Sequence, residues 1–255
     1  MTWDPETYLA FEAERTRPAR ELLARIVVGH PLRVADLGCG PGNSTALLAA
    51  RWPGAELWGI DSSPEMLTAA RASGVPARWC QADLREWSAQ IHYDVLFSNA
   101  TLQWVADHEQ LLPRLMRGLT KGGTLALQMP CNFDQPSHTL IRYVVEGKPW
   151  ARFFNGVRAA THVSSPDKYF EILEPHAAAI DLWETTYVQV LEGEDAVFRW
   201  MTGTSLRPFV EALDEPQRTE FLEDYRAALA RSYPRRTSGV TLFPFRRLFM
   251  VAKAR

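Results

Sequence analysis

The chain lacks several features that would place it in particular protein classes. Its 255 residues include only three cysteines, Cys39, Cys80 and Cys131, and none of them has CxxC spacing. This argues against both a disulfide framework and a zinc site. No apolar run approaches the ~18 residues that a membrane-spanning helix needs. The first residues carry no basic segment followed by an apolar one, so we expect a cytoplasmic protein without a membrane partner.

An excess of charge of one sign is also missing. The formal net charge is −2 at pH 7, and no basic stripe is visible, so we expect no nucleic-acid partner. Apolar residues make up 46% of the chain and charged residues 23%, which is typical of a soluble globular protein. The length suits one domain of moderate size, or one domain with a large insertion.

Strand and helix patterns alternate along the first half of the chain. The predicted strands are Arg33–Leu37, Leu57–Ile60, Ala77–Gln81, Tyr93–Phe97 and Thr124–Met129. The predicted helices are Tyr8–Ile26, broken near Pro18; Asn43–Arg51, capped by Asn43 or Ser44; one opened by Ser63-Pro64-Glu65; and Asp107–Gly118, ended by Lys121-Gly122-Gly123. Such alternation requires right-handed crossovers and a mostly parallel sheet that is covered on both faces.

The pattern changes after Met129. Residues 131–175 have weak periodicity and resemble an inserted cap, Leu182–Leu191 is a predicted strand, and Asp195–Tyr233 is mostly helical with interruptions at Gly203 and Pro216. A turn at residues 236–239 precedes a last strand, Arg246–Ala252, which we expect to be antiparallel. We therefore predict one domain over 1–255: a helical segment over the crevice (1–30), a cofactor-binding core (31–130), a cap (131–180), and last strands (181–255) with a helical appendix (195–233).

A glycine-rich turn follows the first predicted strand. It reads Asp36-Leu37-Gly38-Cys39-Gly40-Pro41-Gly42, and Asp61 ends the next predicted strand. Glycines let the backbone approach a bound molecule because no Cβ intervenes. An acidic residue at the tip of the next strand can bind the hydroxyls of a ribose. The pattern therefore predicts a nucleoside pocket at the carboxyl edge of the sheet.

Further residues narrow the ligand that this pocket takes. The spacing is GxGxG rather than GxGxxG, and Pro41 removes one backbone donor, which disfavours a dinucleotide. Asp36 suits the amino end of an amino-acid moiety, held directly or through water. Asp83 follows the third strand, where a carboxylate can accept from the adenine amine, although taken alone it is equally well explained as a helix cap. Asn99 follows the fourth strand at the same edge.

These motifs resemble the class I S-adenosylmethionine-dependent methyltransferases. Other segments are similar to the trans-aconitate 2-methyltransferase family: residues 14–19, 42–45, 99–104, 127–130, 203–208 and 233–234. The resemblance implies a Rossmann-like α/β fold with a mostly parallel seven-stranded sheet, an antiparallel last strand and a helical cap. It also implies S-adenosyl-L-methionine as cofactor and methyl transfer to a carboxylate of trans-aconitate, a small tricarboxylate, to give the monomethyl ester.

A carboxylate acceptor determines which groups the site needs. With a reference pKa of about 4, it is already ionised at neutral pH. We therefore expect neither a general base nor a metal, only alignment and exclusion of water. The expected cofactor-binding residues are Asp36, Gly38, Gly40, Gly42, Asp61, Ser62, Met66, Asp83, Leu84, Asn99 and Trp104. The expected substrate-binding residues are Arg17, Gln103, His138, Trp150, Tyr187, Arg207 and Arg246.

Alternatives remain open from the sequence alone. Each arginine could form a surface ion pair instead, His138 could be a polar loop residue, and the tryptophans could serve only in packing. The acceptor could be another small acid, or a hydroxyl or amine that requires a base, for which His138 is the candidate. Two other classes of protein also remain possible interpretations: a nicotinamide-dependent dehydrogenase and a non-catalytic module that binds the cofactor. An adenine methyltransferase acting on nucleic acid is disfavoured, because Ser98-Asn99-Ala100-Thr101 lacks the Asn/Asp-Pro-Pro-aromatic run.

Overall fold

A computed structural model describes residues 12–157, 163–203 and 205–255 of the chain. Within these ranges, no helix is both long enough and apolar enough to cross a membrane. The described residues form one sheet with helices on both of its faces and a separate group of helices at one end.

The sheet has seven strands in the order β3-β2-β1-β4-β5-β7-β6. Their bounds are β1 Arg33–Leu37, β2 Glu56–Asp61, β3 Arg78–Gln81, β4 Tyr93–Asn99, β5 Leu119–Pro130, β6 Ala177–Glu192 and β7 Val240–Ala254. Neighbours among β1 to β5 pair in parallel, whereas β7 is antiparallel to both β5 and β6. The predicted mostly parallel sheet with an antiparallel last strand is therefore confirmed.

Nine α-helices connect or cover the strands in the described part of the chain. They are α1 Glu12–Ala24, α2 Asn43–Arg51, α3 Pro64–Ala72, α4 His108–Arg117, α5 Pro136–Tyr143, α6 Pro166–Leu173, α7 Ala196–Thr202, α8 Arg207–Glu211 and α9 Gln217–Ser232. Short 3₁₀ helices span Leu102–Trp104 and Ala151–Phe154. The start of α3 follows the prediction, because Ser63 caps it by accepting from the Met66 N–H at 3.2 Å and Pro64 occupies the first turn.

Three apolar clusters hold these layers together. One cluster packs α4 and α6 on the sheet, and a second packs α1 and α2 against strand residues such as Val34 and Phe97. The third is rich in aromatic residues and joins α5 and α7 to α9 with Phe243 and Phe245 of β7. The helices at this end therefore have a core of their own, which fixes their position beside the sheet.

Several predicted boundaries are wrong for identifiable reasons. The described part of α1 runs through Pro18 instead of breaking there, because Ala19, Leu22 and Leu23 bury an apolar face that outweighs one lost hydrogen bond; residues 8–11 lie outside the described ranges. Helix α2 is not capped by a side chain, since the Ser44 hydroxyl donates to Asp36.

The strands beyond residue 117 are longer than predicted. Helix α4 ends before Gly118, and the glycines at 122 and 123 lie inside β5, where the register against β4 shifts. Strands β6 and β7 pair with each other along almost their whole length. Their backbone hydrogen bonds therefore continue each strand past the apolar stretch from which it was predicted. Helix α6, placed in the cap by the sequence, packs on the sheet through Tyr169 and Leu173.

Gly38 provides a test of the turn that follows β1. Its φ is +73°, and an added Cβ would lie 2.1 Å from the Thr101 side chain, whereas Gly74 has φ +74° and nothing within 4 Å. Gly74→Ala should cost only the left-handed backbone strain, about 1–2 kcal/mol. Gly38→Ala should lower the free energy of unfolding by a further ~1–3 kcal/mol because of the clash. Urea denaturation of both variants measures the difference, and equal losses would contradict this account of the turn.

Candidate functional site

A cavity of about 450 Å³ lies at the carboxyl ends of β1 to β5. Its sheet half is lined by residues that follow the first four strands, and its cap half by Pro130, Asn132, Phe133, His138, Trp200, Ser205, Arg207, Pro208, Phe245 and Arg247. Thr16 and Ala19 of α1 border it as well. Ligands of open α/β sheets bind at this edge, because the loops that follow the parallel strands meet there.

The glycine turn and Asp61 form the floor of the sheet half. The Asp61 carboxylate accepts from the Gly40 N–H and from the Ser63 N–H, both at 2.9 Å, so it links the turn after β1 to the start of α3. The Gly38 N–H donates to the Ile60 carbonyl at 2.7 Å. Gly38, Gly40 and Asp61 all line the cavity as predicted, and each Asp61 oxygen retains a second lone pair for a ligand.

Asp36 lies beneath this floor rather than in it. It is completely buried, and its Oδ2 accepts from the hydroxyls of Thr45 and Ser44 at 2.6 and 2.7 Å. Its Oδ1 has no partner among the described residues. Burial raises the pKa of Asp36 to about 6, against the opposing effect of the two hydroxyl donors. Because Ser44 lines the cavity and Asp36 does not, contact through water fits better than direct contact.

The remaining predicted cofactor residues surround this floor. Ser62, Met66, Asp83, Leu84, Asn99 and Trp104 line the cavity, and the Oδ1 of Asn99 has no partner among the described residues. The Asp83 carboxylate pairs with Arg85 and accepts from its N–H, so Asp83 is a turn cap as well as a cavity residue. Gly42 lies outside, because its Cα faces Trp79 and α3.

The cavity lining includes three of the predicted substrate residues. Arg207 begins α8 and pairs through Nε with Glu211 at 2.8 Å. His138 lies 3.3 Å from the Ser205 Oγ through its Nε2, and burial lowers its pKa to about 4, so the ring is neutral at neutral pH. Gln103 donates to the Ala100 carbonyl at 2.7 Å from the boundary between the two halves.

Four predicted substrate residues lie outside the cavity lining. The guanidinium of Arg17 lies over the Tyr187 ring at 4.8 Å and pairs with Glu21. The Tyr187 hydroxyl donates to the same Glu21 at 2.5 Å, inside the core between α1 and the sheet. Trp150 is buried in the aromatic cluster of the cap helices. None of these three residues therefore belongs to the cavity lining in this structure.

Arg246 is the fourth predicted substrate residue outside the cavity lining, and its neighbour Arg247 lines the cavity instead. Successive side chains of a strand point to opposite faces. Arg246 donates to the Cys131 carbonyl and pairs with Asp134 at 3.0 Å, whereas Arg247 is 4% exposed and lines the cavity. The signal for Arg247 was its alternation with Phe245 and Phe249, which places an arginine on a buried strand face.

Asn132, Phe133 and Ser205 were also missed. Asn132 is completely buried, and neither polar atom of its side chain has a partner within the described ranges. All three lie in loops, where periodicity carries no information about side-chain direction. The site is therefore built from strand ends that sequence motifs reveal and from loop residues that only the fold brings together.

Solved methyltransferase structures share this fold. Phosphoethanolamine N-methyltransferase 2 of Haemonchus contortus, solved with S-adenosyl-L-methionine, aligns over 94% of this chain and 53% of its own with a TM-score of 0.57 and 16% identity. A methyltransferase of Bacillus halodurans C-125, described as putative, aligns over 93% and 98% with a TM-score of 0.57 and 13% identity. A family model described as "Methyltransferase domain" matches residues 34–123. The chain thus has the fold of the class I methyltransferases, and the family model covers its glycine turn.

Full-length relatives narrow the class to one family. The curated trans-aconitate 2-methyltransferases of Azoarcus sp. (strain BH72) and Rhodococcus jostii (strain RHA1) are each 49% identical, over 98% of this chain and 98% and 99% of their own. The Yersinia pestis (strain Pestoides F) protein of the same name is 44% identical over 99% of this chain and 98% of its own. The chain belongs to the trans-aconitate 2-methyltransferase family.

We predict that the buried Asp36 makes cofactor binding depend on pH. The ammonium group of S-adenosylhomocysteine favours the ionised carboxylate, so affinity should fall about tenfold per pH unit below pH ~6, where the free protein takes up a proton. Because the folded pKa lies above the unfolded value of 3.8, the free protein should also lose stability as the pH rises from there to about 6.

Calorimetry in two buffers of different ionisation enthalpy measures both the affinity and the protons released. Asp36→Asn is the control, because a neutral amide removes the titrating group but retains a hydrogen-bond acceptor for Thr45 or Ser44. Its affinity should be the same at pH 5 and pH 7. Equal affinities of the wild-type protein at these two pH values would show that Asp36 does not sense the ligand.

Proposed function

We propose that the chain transfers the methyl group of S-adenosyl-L-methionine to one carboxylate of trans-aconitate and releases the monomethyl ester. The observation that carries the proposal is the composition of the cap half, where two guanidiniums and a neutral imidazole line the same cavity as the predicted cofactor residues. Such a surface suits an acceptor with several negative charges. The relatives that match nearly the full chain are named for this activity.

The residues of the sheet half fit the cofactor. Asp61 is held at the tip of β2, where a ribose would meet its carboxylate, and the Asn99 Oδ1 lacks a partner among the described residues, as expected of an acceptor that a ligand satisfies. The cavity volume lies in the usual range for small-molecule sites, roughly 300–1,000 Å³. When bound, S-adenosyl-L-methionine would supply an electrophilic methyl group.

The acceptor needs no general base in this site. An ionised carboxylate has no proton to lose, whereas a hydroxyl or ammonium acceptor does. His138 is the histidine that lines the cavity, and with a pKa near 4 it has little capacity to take up a proton at neutral pH. The low basicity of His138 therefore favours a carboxylate over the alternative acceptors.

Rate acceleration then depends on alignment and on the exclusion of water. Trp104, Phe133, Trp200 and Phe245 wall the cavity, and Thr16 and Ala19 of α1 border it. Apolar walls strip water from the acceptor carboxylate and strengthen its interactions with fixed charges. Correct placement of two reactants can contribute roughly 7–11 kcal/mol.

A cytoplasmic location and the absence of nucleic-acid and membrane partners remain predictions.

A radiolabelled methyl-transfer assay on a panel of di- and tricarboxylates tests the proposal. Label should enter trans-aconitate with the highest kcat/KM of the panel, and NMR of the product should show a single ester. Asp61→Ala should abolish S-adenosylhomocysteine binding in calorimetry through loss of the ribose contacts. Label in another acid but none in trans-aconitate would contradict the proposed acceptor and leave the methyltransferase class intact.

A variant of His138 distinguishes a role in substrate binding from a role in proton transfer. His138→Gln keeps a neutral polar side chain, so KM for trans-aconitate should rise by about fivefold through one weakened hydrogen bond. The value of kcat should stay within about threefold of the wild-type value, because no proton moves, whereas the loss of a general base lowers it by roughly 10²–10⁴. Steady-state kinetics at saturating cofactor distinguish the two results, and a large fall in kcat would restore His138 as a base.

A further inference from the structure

The charged residues that line the cavity are unevenly distributed. Two carboxylates, Asp61 and Asp83, line the sheet half together with Arg85, whose charge is paired with Asp83. Two guanidiniums, Arg207 and Arg247, line the cap half, and no described acidic residue belongs to its lining. The cap half therefore attracts an anionic molecule and repels a cationic one.

Arg247 is fixed in place before any ligand arrives. It lies on β7 opposite Pro130, the last residue of β5, so the strand register aims it at the carboxyl edge of the sheet. Its Nη1 donates to the Gln128 Oε1 at 3.1 Å, and its guanidinium lies 4.7 Å from the centroid of the Phe245 ring. Gln128 is itself buried at 1% exposure. A buried amide and an aromatic ring thus hold a cation at the wall of the cavity.

Arg207 reaches the same half from another element. It stands in the first turn of α8, and its Nε is held by Glu211 one turn further along the helix. Its side chain is 26% exposed, and its neighbours Ser205 and Pro208 line the cavity with it. One guanidinium is therefore supplied by the sheet and the other by the helical appendix, so the two can bind different anionic groups of one ligand.

A carboxylate that an arginine binds in a bidentate way is a poorer methyl acceptor than one held by neutral groups. The guanidinium engages both oxygens and lowers the nucleophilicity of the lone pair that each oxygen retains. An acceptor with three carboxylates offers two others for such pairing. Together with the positive sulfonium of the cofactor, the two arginines match three negative charges with three positive ones.

On the basis of the proposed function, we propose that Arg207 and Arg247 each bind one of the two carboxylates of trans-aconitate that are not methylated, and that the third faces the methyl group among neutral polar side chains. Asn132 is the strongest neutral candidate, since it is fully buried in the cavity wall and its amide has no partner among the described residues. His138, bonded to Ser205, is a second neutral group.

This arrangement also predicts a single round of methylation. The monoester carries two carboxylates, and both are bound by the arginines in the position that the first reaction leaves. A second transfer requires one of them to leave its guanidinium and take the place of the ester. A neutral ester would then face a buried guanidinium, which is unfavourable because the cation loses a charged partner.

A cycle of substrate truncation and substitution tests the assignment. Itaconate, cis-glutaconate and mesaconate each lack a different carboxylate of trans-aconitate, and calorimetry with saturating S-adenosylhomocysteine measures the Kd of all four acids. Arg247→Gln should weaken the binding of trans-aconitate by roughly 30-fold or more. The same variant should weaken the binding of one dicarboxylate by less than about threefold, because that acid already lacks the carboxylate that Arg247 binds. Arg207→Gln should leave the binding of a different dicarboxylate nearly unchanged.

Controls keep the result interpretable. Arg246→Gln removes the adjacent arginine on the opposite strand face and should leave every Kd near the wild-type value. Arg247→Lys keeps the positive charge but lacks the planar fork, so it should give the same pattern of Kd changes with smaller losses of affinity. It replaces Arg247→Gln as the test variant if the glutamine variant folds poorly. Unchanged S-adenosylhomocysteine affinity and melting temperature report an intact fold.

The inference would be overturned if Arg247→Gln weakened the binding of all four acids equally. It would also be overturned if both arginine variants left the binding of the same dicarboxylate unchanged. The proposed function is tested separately by methyl transfer from wild-type protein. If the wild-type protein binds the acids in the expected pattern and transfers no methyl to trans-aconitate, the function is contradicted while the charge assignment is supported.

Discussion

The bonds that the Asp61 carboxylate makes to the Gly40 and Ser63 N–H groups, both at 2.9 Å, hold together the edge on which the site is built. They connect the turn after β1 with the start of α3, so two neighbouring parallel strands end in one fixed surface. Parallel pairing of β1 with β2 and β4 then sets the positions of Asn99 and the glycine turn relative to Asp61. Both ligand-binding halves of the cavity depend on this edge, because the cap half continues it through β5 and β7.

The distribution of charge over that edge connects the fold to the chemistry. The sheet half holds carboxylates that suit hydroxyl and amino groups, and the cap half holds guanidiniums that suit carboxylates. Burial raises the pKa of Asp36, beneath the sheet half, to about 6 and lowers that of His138, in the cap half, to about 4. We predict that Asp36 responds to a bound ammonium group, whereas the His138 imidazole is a neutral polar side chain.

The sheet half could be predicted from the sequence because its residues occupy strand ends. Gly38, Asp61 and Asn99 follow apolar runs, and the carboxyl ends of parallel strands must meet at one edge. The mostly parallel sheet and the antiparallel last strand followed from the strand-helix alternation, from the turn at residues 236–239 and from the family resemblance, whereas the order of the strands was not predicted.

The cap half was harder to predict because its residues come from elements far apart in the chain. Arg247 belongs to the last strand, Asn132 to a loop after β5, and Arg207 to a short helix whose placement depends on an aromatic core. Arg246 was expected in place of Arg247, since the boundary of β7 determines which of two adjacent arginines faces the cavity. Trp150 and Tyr187 are aromatic residues with structural contacts, and their sequence context does not separate core packing from ligand binding.

The central claim is that one carboxylate of the acceptor faces the positive charge of the cofactor while the arginines bind the other two. It is tested most directly by the affinity of trans-aconitate for the protein saturated with sinefungin, whose protonated amine replaces the sulfonium, compared with S-adenosylhomocysteine, which is neutral at that position. We predict that trans-aconitate binds at least about tenfold more tightly beside the cationic analogue, because the two charges meet in a dry cavity. Equal affinities in the two complexes would contradict the claim.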